Sequence, residues 1–150
     1  MKRRITLILG ALFLMIVCIG ESRSFYCLGD NKCVTVWKTF GGICYVIPGR
    51  YYGLIEPRSR SYIKTTNKIS LDIIWPSKTN NVIADFADGE KVIKNTSEGP
   101  IIIDYASRAG YHDSLFTHFD GKYHRYKKDL TYINISIPDN VAVNSKGEKL

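Results

Sequence analysis

Leu130-Thr131-Tyr132-Ile133-Asn134-Ile135-Ser136-Ile137 alternates strictly, with Ile133, Ile135 and Ile137 on one side and Tyr132, Asn134 and Ser136 on the other. A period of two is the mark of a strand with one face in a core and the other toward water. Comparable runs recur along the chain. Leu71, Ile73 and Trp75 alternate with Asp72 and Ile74, and Val82-Ile83-Ala84-Asp85-Phe86 alternates in the same way. Asp88-Gly89 then turns the chain toward Lys91-Val92-Ile93-Lys94, and Thr66-Asn67 turns Tyr62-Ile63-Lys64 toward Ile69. Ile101-Ile102-Ile103 lacks alternation and reads as a strand covered on both faces. Pro48, Pro57, Pro76, Pro100 and Pro138 fall at strand ends, where a missing backbone donor costs least. Only the stretch from Tyr105 to Leu115 is ambiguous, and Gly110 argues against a long helix there.

These runs predict an all-β domain, a single antiparallel β-sandwich or barrel of about eight to ten short strands over residues 21–150, with a polar, frayed tail over 144–150. No repeat, low-complexity segment or linker divides it.

Ahead of the domain, Met1-Lys2-Arg3-Arg4 is followed by an apolar run from Ile5 to Ile19. A basic start, a short apolar stretch and a small-residue exit at Gly20 form an export signal over residues 1–20, cleaved before Glu21. The run falls short of the roughly 20 residues of a spanning helix. Cys18 stands where a bacterial lipoprotein carries its acylated cysteine, although bulky Val17 precedes it. Membrane contact is therefore expected only through the leader or a lipid on Cys18. The 150-residue chain has a net charge of +7. Three of its 21 Lys and Arg lie in the leader, so the exported domain holds 18 against 14 acids, a net of +4. That mild excess keeps a protein soluble and does not point to nucleic acid.

Cleavage leaves Cys27, Cys33 and Cys44 for an oxidising compartment, which predicts one bridge. Cys33 to Phe40 and Ile43 to Ile47 read as two strands joined across Gly41-Gly42, with Cys44 opposite Thr39. Cys33 then lies about 20 Å from Cys44, too far for a disulfide. Cys27 and Cys33 flank Gly29-Asp30-Asn31, which can fold back and bring them together. Cys27–Cys44 is the alternative if the N-terminal segment lies beside the second strand. The leftover thiol reads as a buried apolar filler.

His118 and His124, with Lys122, invite the chemistry of a small metal-independent ribonuclease or phosphodiesterase. One imidazole would act as base, the other as acid, and an ammonium would stabilise the phosphorane charge. A two-residue turn at Asp120-Gly121 places the histidines on opposite faces, and a three-residue turn places them on one. Asp-Gly favours the former. His112-Asp113 reads as a polar turn after Gly110. There is no Gly-x-Ser-x-Gly elbow, no His-Glu-x-x-His, no phosphate-binding glycine loop and no paired zinc spacing. No cofactor and no metal is expected.

Arg50, Tyr51, Tyr52, Arg58, Arg60, Tyr62 and Lys64, with Lys68, meet one acid, Glu56. A second basic stretch runs from Lys122 to Lys128. Arg and Tyr anchor protein interfaces because they bury area at modest entropic cost and keep a polar tip. The first stretch is loop-like and marks the expected contact surface. The expected function is an exported binding module, of the immunity or inhibitor kind, for a protein with an acidic patch. Anionic lipid headgroups are a second class of taker, and a structural envelope lipoprotein is a third reading of the chain.

Overall fold

The computed structural model describes residue 10 and residues 22–76, 81–86, 89–97, 99–105 and 130–150, together with the backbone of 116–119 and 124–126. Twelve strands follow in order: β1 (Ser22–Cys27), β2 (Cys33–Lys38), β3 (Ile43–Pro48), β4 (Tyr62–Thr66), β5 (Ser70–Trp75), β6 (Val82–Phe86), β7 (Lys91–Lys94), β8 (Ile102–Asp104), β9 (Phe116–Phe119), β10 (His124–Tyr126), β11 (Thr131–Ser136) and β12 (Val141–Asn144). The export signal expected over residues 1–20 lies outside the described residues apart from Gly10. Among the described residues no helix is long and apolar enough to cross a membrane.

Two five-stranded sheets carry the fold, β1-β2-β3-β4-β7 and β12-β11-β5-β6-β8, and β9 and β10 form a separate pair. The all-β expectation holds. Both sheets keep open edges, so the barrel alternative is excluded. Strict antiparallel order is also corrected, because β6 and β8 run parallel.

Alternation explains the layers. Val34, Val36, Cys44, Val46 and Ile63 of the first sheet share one core with Leu71, Ile73, Val82, Ala84, Ile133, Ile135 and Ile137 of the second. Each fully buried Ile or Val contributes roughly 1.5–3 kcal/mol of transfer free energy. Ile74, Ile83 and Leu130 form a further buried cluster on the far side of the second sheet. Ile102 enters the central core and Ile103 packs on that far cluster, which is why the 101–103 run does not alternate.

Three sequence expectations need correction. Lys38, not Thr39, stands opposite Cys44, because Phe40 joins Gly41 and Gly42 in the loop and both glycines take positive φ. Only that register puts Val34 and Val36 on the same face as Cys44 and Val46. The connections after β4 and after β6 do not make hairpins. They carry the chain from one sheet to the other, β4 to β5 and β6 to β7. The tail is not frayed. Gly147 turns at φ 81, Asn144 Oδ1 accepts from the Lys146 and Glu148 amides, and Leu150 N donates to Ala142 O at 3.0 Å.

Cys27 and Cys33 are directly paired in the β1–β2 ladder, Cα atoms 4.0 Å apart, and are disulfide-bonded. β1 pairs with β2 and not β3, which removes the Cys27–Cys44 alternative. Cys44 is free and buried, and burial pushes its thiol up to about 12.

Candidate functional site

The outward face of the first sheet is unlike its inward one. Register sets Arg23, Trp37, Tyr45, Lys64 and Val92 in one row across β1, β2, β3, β4 and β7. Trp37 stacks on Tyr45 at 5.2 Å, and Tyr45 meets Tyr62 edge-on at 5.5 Å. Cations border this platform. The Arg23 guanidinium lies 4.7 Å over Trp37, Lys64 Nζ 6.0 Å over Tyr45 and Lys94 Nζ 5.6 Å over Tyr62. Such contacts stabilise by roughly 0.5–2 kcal/mol each, according to solvent exposure.

Residues 49–61, between β3 and β4, lie across the platform as a strap. Thr35, fully buried, donates from Oγ1 to Gly49 O at 2.7 Å and accepts the Tyr51 amide at 2.9 Å. Arg23 Nη2 donates to Gly53 O at 2.8 Å, and Tyr51 packs against Trp37 at 6.2 Å. At the far end buried Ser61 Oγ accepts the Thr96 amide at 3.1 Å. The strap is thus tied at both ends and in the middle. Between the ties, Tyr52, Leu54 and Ile55 are 67%, 82% and 70% exposed, and Tyr52 meets Phe25 at 5.1 Å. The anchored loop thus holds three large apolar side chains in water, an arrangement common at contact surfaces.

Electrostatics centre on Glu56. Tyr62 Oη donates to Glu56 Oε1, and that bond, followed by the charges of Lys64, Lys94 and Arg58, holds the carboxyl below its ordinary value. Burial first, and then Glu56, pushes the Tyr62 hydroxyl up to about 12, which keeps it a donor. Beneath the strap, Trp37 Nε1 and Arg23 Nε are buried and meet no acceptor among the described residues.

The predicted contact residues divide. Tyr51, Tyr52, Tyr62 and Lys64 come together on the platform and strap, with Arg58 near enough to act on Glu56. Tyr62 is only 3% exposed, so it shapes the platform from beneath. Arg60 Nη1 donates to Arg50 O at 2.9 Å, and Arg60 lines a cleft of about 710 Å³ beside Lys32, Pro48, Trp75 and Pro100. Sequence reasoning missed Arg23, Phe25, Trp37, Tyr45 and Lys94, which reach the site from other strands. The available signal was the alternation of Thr35 and Trp37 with Val34 and Val36.

The ladder sets His118 opposite Arg125 and His124 opposite Phe119, a register that matches neither expected turn and leaves the two histidines in adjacent pairs. Residues 120–123, between the two strands, lie outside the described residues. Lys122, His112 and Asp113 lie outside the described residues, as does Cys18. Among the described residues no group of three His, Cys, Asp or Glu could hold a metal ion. Comparison with known proteins finds no matching family, no matching curated protein and no matching solved structure.

Proposed function

We infer that the protein is an exported binding module, of the inhibitor or immunity kind, that engages an acidic protein partner through the strap and the outward face of the β1-β2-β3-β4-β7 sheet. The observation that carries this reading is a loop pinned by buried Thr35 and Ser61 yet presenting Tyr52, Leu54 and Ile55 to solvent amid cations. Pre-ordered loops bind with less entropic cost than mobile ones. Aromatic anchors ringed by cations suit a partner with carboxylates around an apolar centre. The Cys27–Cys33 bond fits an oxidising compartment outside the cytosol.

The test is capture of partner from envelope and extracellular fractions on the immobilised protein, beside two variants. Tyr52→Ala with Leu54→Ala removes the apolar anchors, and Arg58→Glu with Arg60→Glu reverses charge. A partner that binds the native protein and is lost with either variant supports the reading. A partner retained equally by both, or none at all, refutes it.

A further inference from the structure

The platform carries its own acidic occupant. Glu56 is the single acid of the strap, and it sits exposed on Tyr62 Oη within reach of the charges of Lys64, Lys94 and Arg58. Three cations act on one carboxylate. None of the three forms an ion pair among the described residues, where Lys91–Asp104 is the pair that closes. The local balance is therefore two positive charges in excess.

We propose that the aromatic–cationic platform is a receptor for the carboxylate side chains of an acidic peptide segment, and that Glu56 occupies it in the free protein and gives way when the segment binds. The proposal rests on the binding reading above and names the chemistry that the surface accepts. Geometry supports a carboxylate in this position. The Tyr62 ring is fixed by Tyr45 at its edge and by Lys94 over its face, so its hydroxyl is a pre-aimed donor. Lys64 and Lys94 stand on β4 and β7, neighbouring strands, at cross-strand positions two pairs apart, spaced to meet alternate acids of an extended chain. Among the described residues Glu56 is held by its loop and one side-chain bond, so its release leaves the sheet intact.

The experiment titrates the native protein and Glu56→Gln with a capped hexaglutamate peptide, following tryptophan fluorescence at low and moderate salt. Glu56→Ala repeats the measurement with a different side chain, and circular dichroism confirms that each is folded. Removing the competing charge should tighten hexaglutamate binding about fivefold or more, the factor expected for one like charge within a few ångström of the site. Lys64→Ala with Lys94→Ala should weaken it by a similar factor and reduce its salt dependence. Equal or weaker binding to both Glu56 variants overturns the proposal. So does the same gain for inorganic phosphate with none for the peptide, which would make the site a phosphate receptor. The two readings separate cleanly: a captured partner that depends on Tyr52 and Leu54 but is indifferent to Glu56 leaves the binding module standing and removes the built-in occupant.

Discussion

Reducing the Cys27–Cys33 bond should lower the stability of the folded domain by roughly 2–3 kcal/mol. The two cysteines are separated by 6 in sequence, so the bridge closes a small loop in the unfolded chain. The chain-entropy relation for about seven residues gives about 2.4 kcal/mol at 25 °C. The native ladder does not depend on the bridge. β1 remains paired with β2 from Ser22 to Cys27, and Leu28 N still donates to Lys32 O at 2.8 Å across the turn. The loss therefore acts mainly through a freer unfolded state. With a urea slope of about 1–3 kcal/mol per molar, the unfolding midpoint of the reduced protein should fall by roughly 1–2 M. The assay is urea unfolding followed by circular dichroism, with and without reductant, the redox state of each sample read from alkylated peptides. β1 also carries Arg23, which ties the strap at Gly53, so backbone exchange along 22–27 and 49–55 should quicken on reduction more than exchange in β3. A midpoint that moves by less than about 0.3 M would refute the entropic reasoning. Exchange that rises uniformly over both sheets would refute the coupling of β1 to the strap.

Thr35→Val keeps the side-chain shape but strands the Gly49 carbonyl and the Tyr51 amide, so it should cost roughly 1–3 kcal/mol and open 49–61 to limited proteolysis before the rest of the chain. An unchanged cleavage pattern would show that the strap is not pinned there. Stability should be fully present below pH 9 and decline as pH rises toward 12, because the buried Cys44 thiol titrates from 9.0 in the unfolded chain but at about 12 when folded. Tyr62, raised from 10.0 to about 12, adds to the same decline. Urea midpoints across that window should fall less steeply in Cys44→Val, and identical slopes would contradict the assignment. Lys91→Ala should cost about 1 kcal/mol, since it removes the 3.0 Å pair to Asp104 that joins β7 to β8 across the two sheets and the contact 4.1 Å over Phe86. Thermal melts at low and high salt check it, and a variant as stable as the native protein would mean that this seam contributes nothing.

Alternation made the layers legible. Ile133, Ile135, Leu71, Ile73 and Val82 are buried where the period of two places them. Topology was not legible, because a short polar turn reads alike whether it returns a strand to its own sheet or carries it across to the other. That ambiguity hid the crossings from β4 to β5 and from β6 to β7, and the parallel seat of β8 beside β6. β1 escaped notice because Tyr26 is its one buried side chain, and β12 because Ala142 is. The choice of Cys27–Cys33 over Cys33–Cys44 followed from strand geometry, even though the hairpin register was out by one residue. The crowding of Arg and Tyr along residues 50–62 pointed to the same loop that forms the strap. It did not find Arg23, Trp37 or Lys94, since a row across five strands leaves no trace along the chain.

Binding through the strap requires one particular sheet face to meet the partner, and site-specific photo-crosslinking asks that directly. A photoreactive group placed at Tyr52, exposed on the strap, is compared with one at Asn134 on the outward face of the other sheet. In envelope or extracellular material, the expected result is one discrete adduct from position 52 that disappears when Arg58→Glu and Lys64→Glu are introduced, and none from position 134. An adduct from position 134, or one at position 52 that survives both charge reversals, would contradict the central claim.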